Sequence, residues 1–410
     1  MEHRHFDFRI QRLRPDMKAP AADDRALIDA CASASLQLLQ DNLTPHGILA
    51  ARRTPAAVAR RYTRIFGRDA AICVLAMCGS GVEALERGAV ASLDALAAMQ
   101  AANGQIPKYV DPDGRDADFW YLGCIDATLW WLIACDHVGK HGDVGTTRWQ
   151  AQTALAMQWL LAQEHQAFRL VQQNEASDWA DIMPRSGYVL YSNALWLEVK
   201  RRFGLAHADV TLHHFNHLFH PVQRDLPVYH RARLLQHYAR RGRSEAGLYL
   251  SFVNLASAGH EGDVFGNLLA ILCGAASESM GHRIIESLRS AKAAEPYPVR
   301  VTLHPLSRQH ESWRPYMVRH RQNLPHQYHN GGIWPFVGGF WVLALARLGR
   351  SDLAWHELAS LARVNALGDW RFTEWFHGAT LEPMGMVGQS WNAAAFLLAL
   401  RSLQGGSAGW

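Results

Sequence analysis

Carboxylate side chains stand beside tryptophans at two places that are almost two hundred residues apart in this sequence. The first place is the segment Asn174–Asp181, and the second is Thr373–Gly378. An indole ring offers a flat apolar face for packing, and two carboxyl groups can protonate a glycosidic bond and activate the water that attacks it. These residue types predict carbohydrate chemistry, with the two segments meeting in one site.

The composition is that of one large globular domain. The chain has 410 residues, of which 49% are hydrophobic, so it can bury a substantial core. Because no Pro/Gly/Ser-rich linker and no change in charge density divides the chain, we predict a single domain over residues 1–410.

Charge and cysteine usage argue against several classes of protein. The 41 Lys and Arg residues are scattered and nearly balance the 37 Asp and Glu residues, which argues against a nucleic-acid partner. The six cysteines lack the CxxC spacing of a zinc site, and the 22 histidines form no recurring ligand motif. We therefore expect no metal.

The start of the chain and its most apolar run are the two candidates for a targeting or membrane segment. Met1–His5 is charged and no apolar stretch follows it, which predicts a cytoplasmic protein. The uncharged run Gly331–Ala346 is shorter than the roughly 20 residues that span a membrane, and it contains Pro335. We interpret this run as the start of a buried helix and expect no membrane contact.

Apolar residues recur at three- and four-residue spacing along most of the chain, which is the period of a helix. The predicted helices are Ala26–Leu39, Ala70–Gln100, Ala127–His137, Gln150–Gln163, Val189–Phe203, Phe265–Leu288, Phe336–Leu348, Ala354–Val364 and Ser390–Leu403. Strand-like alternation is limited to Gly247–Val253 and Val299–Leu303. The fold is therefore predicted to be all-α, with minor β-hairpin insertions.

The order of helices and loops predicts how the helices are arranged. Long apolar helices alternate with loops that carry Gly, Trp and carboxylates, and no short repeat of the TPR or HEAT type is present. About a dozen helices in hairpin pairs would close into an (α/α)6 toroid, in which the loops at one end form a cup.

Several of these loops combine polar and aromatic residues just before a predicted helix. They are Arg61–Asp69, Gly123–Trp131, Asp178–Gly187, Gly259–Leu269, Tyr328–Pro335, Glu374–Gly378 and Gly388–Ala394. In order and residue type, these motifs resemble the alkaline/neutral invertases and their relatives among the inverting (α/α)6-barrel glycosidases, which include amylo-α-1,6-glucosidases and trehalases. The resemblance extends from about Arg61 to Leu403. It implies an inverting glycoside hydrolase that needs no cofactor.

The resemblance implies a catalytic role for each of two carboxylates. Asp181 aligns with the general acid, which a raised pKa would keep protonated, and Glu374 aligns with the general base that activates water. In inverting enzymes such a pair lies roughly 6.5–9.5 Å apart. Asp178 is a rival for the acid, and Glu175 is a more distant candidate.

Further residues of these motifs are predicted to bind the substrate. They are Phe66, Arg68, Asp69, Asp126, Asp178, Trp179, Arg185, His329, Asn330, Trp334, Gln389 and Trp391. Asp69 and Asp126 each stand at the start of a predicted helix, so helix capping is the alternative explanation for both. Packing in the core is the alternative explanation for the tryptophans.

A small-molecule sugar is the expected partner, and sucrose is the favoured substrate. The segment after Asp181 departs from the invertases, which have two arginines directly after the Asp, and Pro184–Gly187 is nearer to the debranching-type enzymes. Trehalose, an α-1,6-glucoside or glucosylglycerate would suit the same residues. A sugar 2-epimerase, which would use histidines as bases, and a non-catalytic sugar-binding protein are the two other classes. The resemblance is also compatible with a homo-oligomer.

Overall fold

The computed structural model describes residues 22–113, 116–120, 123–142, 145, 147–221 and 247–405. Both ends of the predicted single domain, residues 1–21 and 406–410, lie outside the described residues. The described helices are α1 (Ala22–Asp41), α2 (Pro55–Ala59), α3 (Gly67–Met77), α4 (Glu83–Ala98), α5 (Ile125–His141), α6 (Gln150–Gln163), α7 (Leu190–Arg202), α8 (Ala208–Phe219), α9 (Val264–Leu272), α10 (Glu278–Ser290), α11 (Pro335–Arg347), α12 (Ser351–Trp370) and α13 (Ser390–Leu403), with a 3-10 helix at Pro315–Arg321.

Short strands form four small antiparallel sheets in the loops of the described chain. Two are hairpins, which pair β1 (Leu43–Thr44) with β2 (Gly47–Ile48) and β9 (Trp375–Phe376) with β10 (Pro383–Met384). The other two have three strands each, in the orders β3-β4-β5 and β6-β7-β8. Their strands are β3 (Ile65–Phe66), β4 (Tyr109–Val110), β5 (Ala117–Asp118), β6 (Gln172–Gln173), β7 (Gly187–Val189) and β8 (Phe252–Val253).

Six helices of the described chain form a closed inner ring. The packing runs from α3 to α5, α7, α9, α11 and α13, and α13 packs back against α3. The outer layer consists of α4 on α3, α6 on α5, α8 on α7, α10 on α9, α12 on α11, and α1 on α13. The predicted (α/α)6 toroid with minor β-hairpins is confirmed.

Most of the inner helices lie inside the barrel because they are apolar around most of their circumference. Helix α7 is the exception, since it also buries Asn193, Glu198 and Lys200. All of α3 is buried, and α11 is buried from Pro335 to Ala346. A helix that is apolar all round has no face for solvent. In contrast, α10 is buried along one stripe only, at Met280, Gly281, Ile284, Ile285 and Leu288. No helix among the described residues is long and apolar enough to cross a bilayer.

The inner helices meet at one end of the barrel through the second residue of each helix. We call these six side chains the floor ring: Arg68, Asp126, Tyr191, Phe265, Phe336 and Trp391. Because all six belong to first helical turns and contact one another, the inner helices run in the same direction. Their N termini, and the loops that precede them, therefore share one end of the barrel.

One half of the floor ring is polar. Arg68 Nη1 lies 3.1 Å from Asp126 Oδ2, and the Tyr191 hydroxyl donates to the same oxygen over 3.1 Å. The Tyr191 ring then contacts Phe265, with ring centroids 5.4 Å apart.

The other half is aromatic. The ring of Phe265 lies 5.4 Å from that of Phe336, and Phe336 stacks on Trp391 with 3.9 Å between centroids. The ring closes where the Arg68 guanidinium lies 5.4 Å from the centre of the Trp391 ring, a cation–π contact.

Two predicted helices are each divided in the structure. The prediction Ala70–Gln100 is wrong in its middle, where Gly79 and Gly81 have φ of +68° and +73° and separate α3 from α4. The prediction Phe265–Leu288 is divided in the same way after Gly274, with φ of +64°. Glycine adopts this left-handed conformation without the steric penalty that other residues incur, so a tight turn fits between two apolar helices without interrupting the apolar pattern.

The two strand predictions are only partly correct. Within Gly247–Val253 only the last two residues form a strand, β8. Val299–Leu303 forms no strand and makes only single bridges, from Thr302 to Asp263 and from Arg300 to Ile333. The sequence prediction also omitted α2, which has 5 residues, and α8, which has 12 residues.

Candidate active site

Loops at the N-terminal end of the inner helices form a cup above the floor ring. The amide groups of a first helical turn carry partial positive charge, roughly half an elementary charge per helix. Six such ends meet here, and this arrangement favours carboxylates. The two predicted catalytic carboxylates, Asp181 and Glu374, both come from these loops.

Asp181 lies in the loop between β6 and β7 and faces a lysine from a distant part of the chain. Asp181 Oδ2 accepts a hydrogen bond from Lys108 Nζ over 2.9 Å. Lys108 directly precedes β4, and its backbone carbonyl accepts a hydrogen bond from the Gly67 amide at the start of α3. The sheet of β3, β4 and β5 therefore fixes the lysine against the carboxylate.

The pKa of Asp181 differs from the sequence-based expectation. Burial raises it, but the Lys108 ammonium and the hydrogen bond from it outweigh burial, so the pKa of Asp181 is lowered. His329 Nδ1 is 4.0 Å from Asp181 Oδ1, but burial lowers the pKa of His329 to about 3, so the imidazole is neutral near pH 7. The expected raised pKa is therefore wrong for this arrangement, because Lys108 was not foreseen.

Glu374 is held by the hairpin that carries β9 and β10. Its backbone amide donates to the Met386 carbonyl over 2.8 Å, and its Oε2 accepts from the Met386 amide over 2.7 Å. Gly385 allows this approach, since a Cβ at that position would lie 2.2 Å from Glu374 Oε2. The other oxygen, Oε1, accepts a hydrogen bond from the Tyr62 hydroxyl over 2.7 Å.

The environment of Glu374 is the opposite of that of Asp181. Burial raises the pKa of Glu374 to about 7, although the Met386 amide and the Tyr62 hydroxyl both lower it in part. A carboxyl group with this pKa exchanges protons near neutral pH. Asp181 has a side chain 25% exposed and a nearby cation, whereas Glu374 is 2% exposed.

Two tyrosines connect the carboxylates. After burial, which has the largest effect, the charges of both Asp181 and Glu374 raise the pKa of Tyr62 and of Tyr328. Tyr62 and Tyr328 are also hydrogen-bonded to each other through their side chains. The Tyr62 hydroxyl thus links Glu374 to Tyr328, and the charge of Asp181 acts on both tyrosines.

Predicted binding residues His329, Trp334 and Trp179 form an aromatic stack in this structure. The His329 ring stacks on Trp334 with 5.3 Å between centroids, and it meets the edge of Trp179 at 4.8 Å. Trp179 and Trp334 are 2% and 1% exposed. They pack beneath His329 and orient it toward Asp181. This position supports core packing, and not sugar stacking, as the role of both tryptophans.

Arg68, Asp69, Asp126 and Trp391 are brought together as one cluster. Arg68 Nη2 lies 3.1 Å from Asp69 Oδ2, and burial raises the pKa of Asp69 despite this cation. Asp126 is fully buried, and its oxygens accept from Arg68, Tyr191 and the Cys124 thiol. Asp126 thus orients Arg68 and has no exposed surface for a sugar.

Other predicted residues are used to build the loops. The Asn330 amide donates to the carbonyls of Leu306 and Asn323, and Arg185 forms buried ion pairs with Glu261 and Asp263. These two side chains are 0% and 1% exposed. They therefore position the loops that carry His329 and Asp181.

Asp178, the rival acid, is also buried. Its Oδ1 accepts from the Ala180 amide, and its Oδ2 accepts from Gln173. Burial raises its pKa to about 6. At 2% exposure, Asp178 shapes the turn before Asp181, which is the more exposed of the two. The third candidate, Glu175, accepts a hydrogen bond from Tyr316 and lies 3.4 Å from Arg314 Nε.

Several buried polar atoms at this end of the barrel have no hydrogen-bond partner among the described residues. They are Arg68 Nε, His329 Nδ1, Trp391 Nε1 and both side-chain polar atoms of Gln389. A buried polar group without a partner costs about 1–3 kcal/mol. Phe66, half-buried, adds an apolar face at the N-cap of α3, and its ring centroid is 4.9 Å from that of Tyr109.

Sequence reasoning missed Lys108, and it did not place Tyr62 and Tyr328 among the binding residues. Both tyrosines lie within motifs that the sequence analysis singled out, so the signal was present. Lys108 lies outside those motifs, and only its contact with Asp181, 73 residues later, reveals it.

Within the described residues, no group of three or more His, Cys, Asp or Glu side chains could hold a metal ion.

Known proteins match parts of this sequence. A family model described as alkaline and neutral invertase matches residues 244–405. Alkaline/neutral invertase E, chloroplastic, of Arabidopsis thaliana is 26% identical over 139 residues, which is 33% of this chain and 22% of that protein. Glucosylglycerate hydrolase of Mycolicibacterium hassiacum is 37% identical over 80 residues, which is 19% of this chain and 17% of that protein. Each match spans about a fifth of the relative's length.

Solved structures share the fold over most of the chain. A GH63 mannosylglycerate hydrolase from Thermus thermophilus, in complex with Tris and D-glycerate, has a TM-score of 0.63 and 14% identity, covering 90% of this chain and 99% of that chain. A wild-type glycosidase has a TM-score of 0.62 and 15% identity, covering 94% and 100%. The chain therefore has the fold of these glycosidases, and its residues 244–405 match the family of alkaline and neutral invertases.

Proposed function

We propose that this protein is an inverting glycoside hydrolase that acts on small α-glucosides, with Asp181 as general acid and Glu374 as general base. The observation that carries the proposal is the convergence of these two carboxylates on Tyr62 and Tyr328, in opposite electrostatic environments.

The proposed reaction is a single displacement. Asp181 donates its proton to the glycosidic oxygen, and the bond from that oxygen to the anomeric carbon breaks. Glu374 removes a proton from water, whose oxygen bonds to the anomeric carbon from the opposite face. The released sugar then has the inverted configuration.

The pKa shifts in the structure would by themselves favour the reverse assignment. Asp181 has a lowered pKa, and Glu374 has a pKa of about 7. We retain Asp181 as the acid because the family resemblance aligns it with that role. A base with a pKa near the working pH is also efficient, so the value for Glu374 suits water activation.

The aglycone is the open part of the proposal. Sucrose is the substrate that the sequence analysis favoured, and one relative is named an alkaline/neutral invertase. Another relative is named a glucosylglycerate hydrolase. We therefore propose sucrose and glucosylglycerate as the first two substrates to compare, followed by trehalose and isomaltose.

The first test is a proton NMR time course with each α-glucoside, which follows the anomeric signal of released glucose. We expect β-glucose to appear before mutarotation. Early α-glucose would rule out the inverting mechanism, and no release from any glucoside would rule out the hydrolase. Interconversion of a free monosaccharide would instead support the epimerase.

Replacing either proposed catalytic carboxylate should remove most of the activity. We expect Asp181→Asn and Glu374→Gln each to lower turnover by about 10²- to 10⁴-fold, the usual contribution of general acid–base catalysis. Circular dichroism and thermal melting should show that both variants fold.

Leaving-group chemistry distinguishes the two roles. α-Glucosyl fluoride needs little acid assistance, so Asp181→Asn should recover much of its activity on this substrate whereas Glu374→Gln should not. The opposite pattern would exchange the roles. If Asp178→Asn is inactive while Asp181→Asn is active, Asp178 is the acid.

Removal of the Tyr62 hydroxyl should change the pH dependence of the reaction. The hydroxyl stabilises ionised Glu374, so Tyr62→Phe should raise the Glu374 pKa above its value of about 7. Because the base must be ionised, the acidic limb of the kcat/KM profile should move to higher pH. Tyr188→Phe, which removes a hydroxyl bonded to Gln172, is the control and should leave that limb in place. If the acidic limb does not shift in Tyr62→Phe, the Tyr62 hydroxyl does not stabilise the ionised form of the base.

Gly385 should be required for the position of Glu374. In Gly385→Ala the added methyl group would displace the carboxylate, and we expect a loss of turnover of at least about tenfold, since small misplacements of reacting groups are costly. Gly349→Ala is the matched control, because its φ is +71° against +78° at Gly385 and open space surrounds its Cβ position. Both variants should lose about 1–2 kcal/mol of stability from left-handed backbone, but only Gly385→Ala should lose turnover. Equal turnover in the two would show that Glu374 does not depend on this contact.

A further inference from the structure

The Lys108–Asp181 ion pair presents a chemical problem for the proposed reaction. Lys108 Nζ lies 2.9 Å from Asp181 Oδ2, and the lysine side chain is 9% exposed. An acid must carry a proton, yet protonation of Asp181 would leave a mostly buried ammonium without a counter-ion. Breaking a buried pair by removing one charge is strongly unfavourable.

Among the described residues, no second anion lies next to Lys108 that could take the place of Asp181. The ammonium lies 3.7 Å from the centre of the Trp120 ring, and within the described part of the chain Asp181 is the one hydrogen-bond acceptor of Nζ. Arg68 and His329 face Asp181 as well, and Cys124 faces Lys108. These groups are cationic or neutral near pH 7, since burial raises the pKa of Cys124.

Lys108 lies close to the position that the glycosidic oxygen would take beside Asp181. A glycosidic oxygen that receives the Asp181 proton lies about 3 Å from that carboxyl group. The Lys108 ammonium, in contact with the same carboxyl group, is then within roughly 8 Å of the oxygen. A carboxylate on the carbon next to the glycosidic oxygen can reach it.

We propose that Lys108 binds a carboxylate of the aglycone, so that the preferred substrates are α-glucosides of 2-hydroxy acids, of which glucosylglycerate is one. This inference rests on the proposed function and on Asp181 as the acid. As the substrate binds, the Lys108 ammonium releases the Asp181 carboxylate and pairs with the aglycone carboxylate. Asp181 then takes up a proton from solvent. That proton passes to the glycosidic oxygen, and the proton that Glu374 takes from water returns to solvent.

The test compares two substrates that differ at one group. Glucosylglycerate and glucosylglycerol share the sugar and the linkage, but the first has a carboxylate where the second has a hydroxymethyl group. We expect the wild-type protein to prefer glucosylglycerate in kcat/KM by about 10- to 100-fold, the usual value of a hydrogen bond to a charged group. Lys108→Met should lower this ratio at least tenfold, and Lys108→Arg should retain most of it.

A matched control is available in a second buried lysine. Lys200 pairs with Glu164 and lies 5.2 Å from the Trp196 ring centre, but it is outside the cup. Lys200→Met should leave the substrate ratio unchanged. If this variant does not fold, Lys140→Met, at an exposed lysine paired with Asp136, takes its place.

Binding of D-glycerate, measured by calorimetry, gives a readout that does not depend on turnover. We expect Lys108→Met to weaken glycerate binding at least tenfold and to leave glucose binding unchanged. An unchanged substrate ratio in Lys108→Met, or a wild-type preference for glucosylglycerol, would overturn the inference while the hydrolase proposal stands. A different result would contradict the hydrolase proposal and support the anion site. In that case glycerate binding depends on Lys108, but no glucoside is hydrolysed.

Discussion

The contact of Arg68 with both halves of the floor ring is the constraint on which the rest of the structure depends. Its guanidinium pairs with Asp126 and Asp69 and also lies over Trp391. The inner helices that carry these residues, α3, α5 and α13, are therefore fixed to one another at their first turns. Since two buried carboxylates share this one cation, its loss would leave uncompensated charge at the base of the cup. The position of every loop above depends on this closure.

Helices and loops contribute differently to the site. The helices supply a rigid floor and six partly positive N termini, and the loops supply the two carboxylates. Asp181 is kept ionised by a lysine, whereas burial has the largest effect on Glu374 and raises its pKa to about 7. One fold thus shifts the pKa values of two carboxyl groups in opposite directions, downward at Asp181 and upward at Glu374.

The sequence predicted the architecture well because most inner helices, such as α3, are apolar around most of their circumference, whereas an outer helix such as α10 is apolar on one face. This difference is visible in the periodicity. The two candidate carboxylates could be singled out because each lies in a motif with aromatic neighbours. The function of individual binding residues was harder to predict. Asp126 and Asn330 are polar residues in loops or at helix starts, yet both are fully buried and bond to the protein.

The least predictable features depend on contacts between distant segments. Lys108 meets Asp181 only because the β3-β4-β5 sheet and the β6–β7 loop come together above the floor ring. No local pattern around Lys108 records this contact. The protonation of Asp181 follows from it, so the sequence could point to a candidate acid but not to its pKa.

The closure of the barrel also determines when the fold can be completed during synthesis. Helix α13 is joined to α3 at one end by Trp391 and Arg68. At the other end, Arg401 donates to the carbonyls of Ala76 and Cys78. Until residue 401 has left the ribosome, one flank of the wholly buried α3 has no neighbour. The nascent chain therefore exposes one apolar flank of α3 for as long as the segments between α3 and α13 are being made, and transiently exposed apolar surface is prone to aggregate.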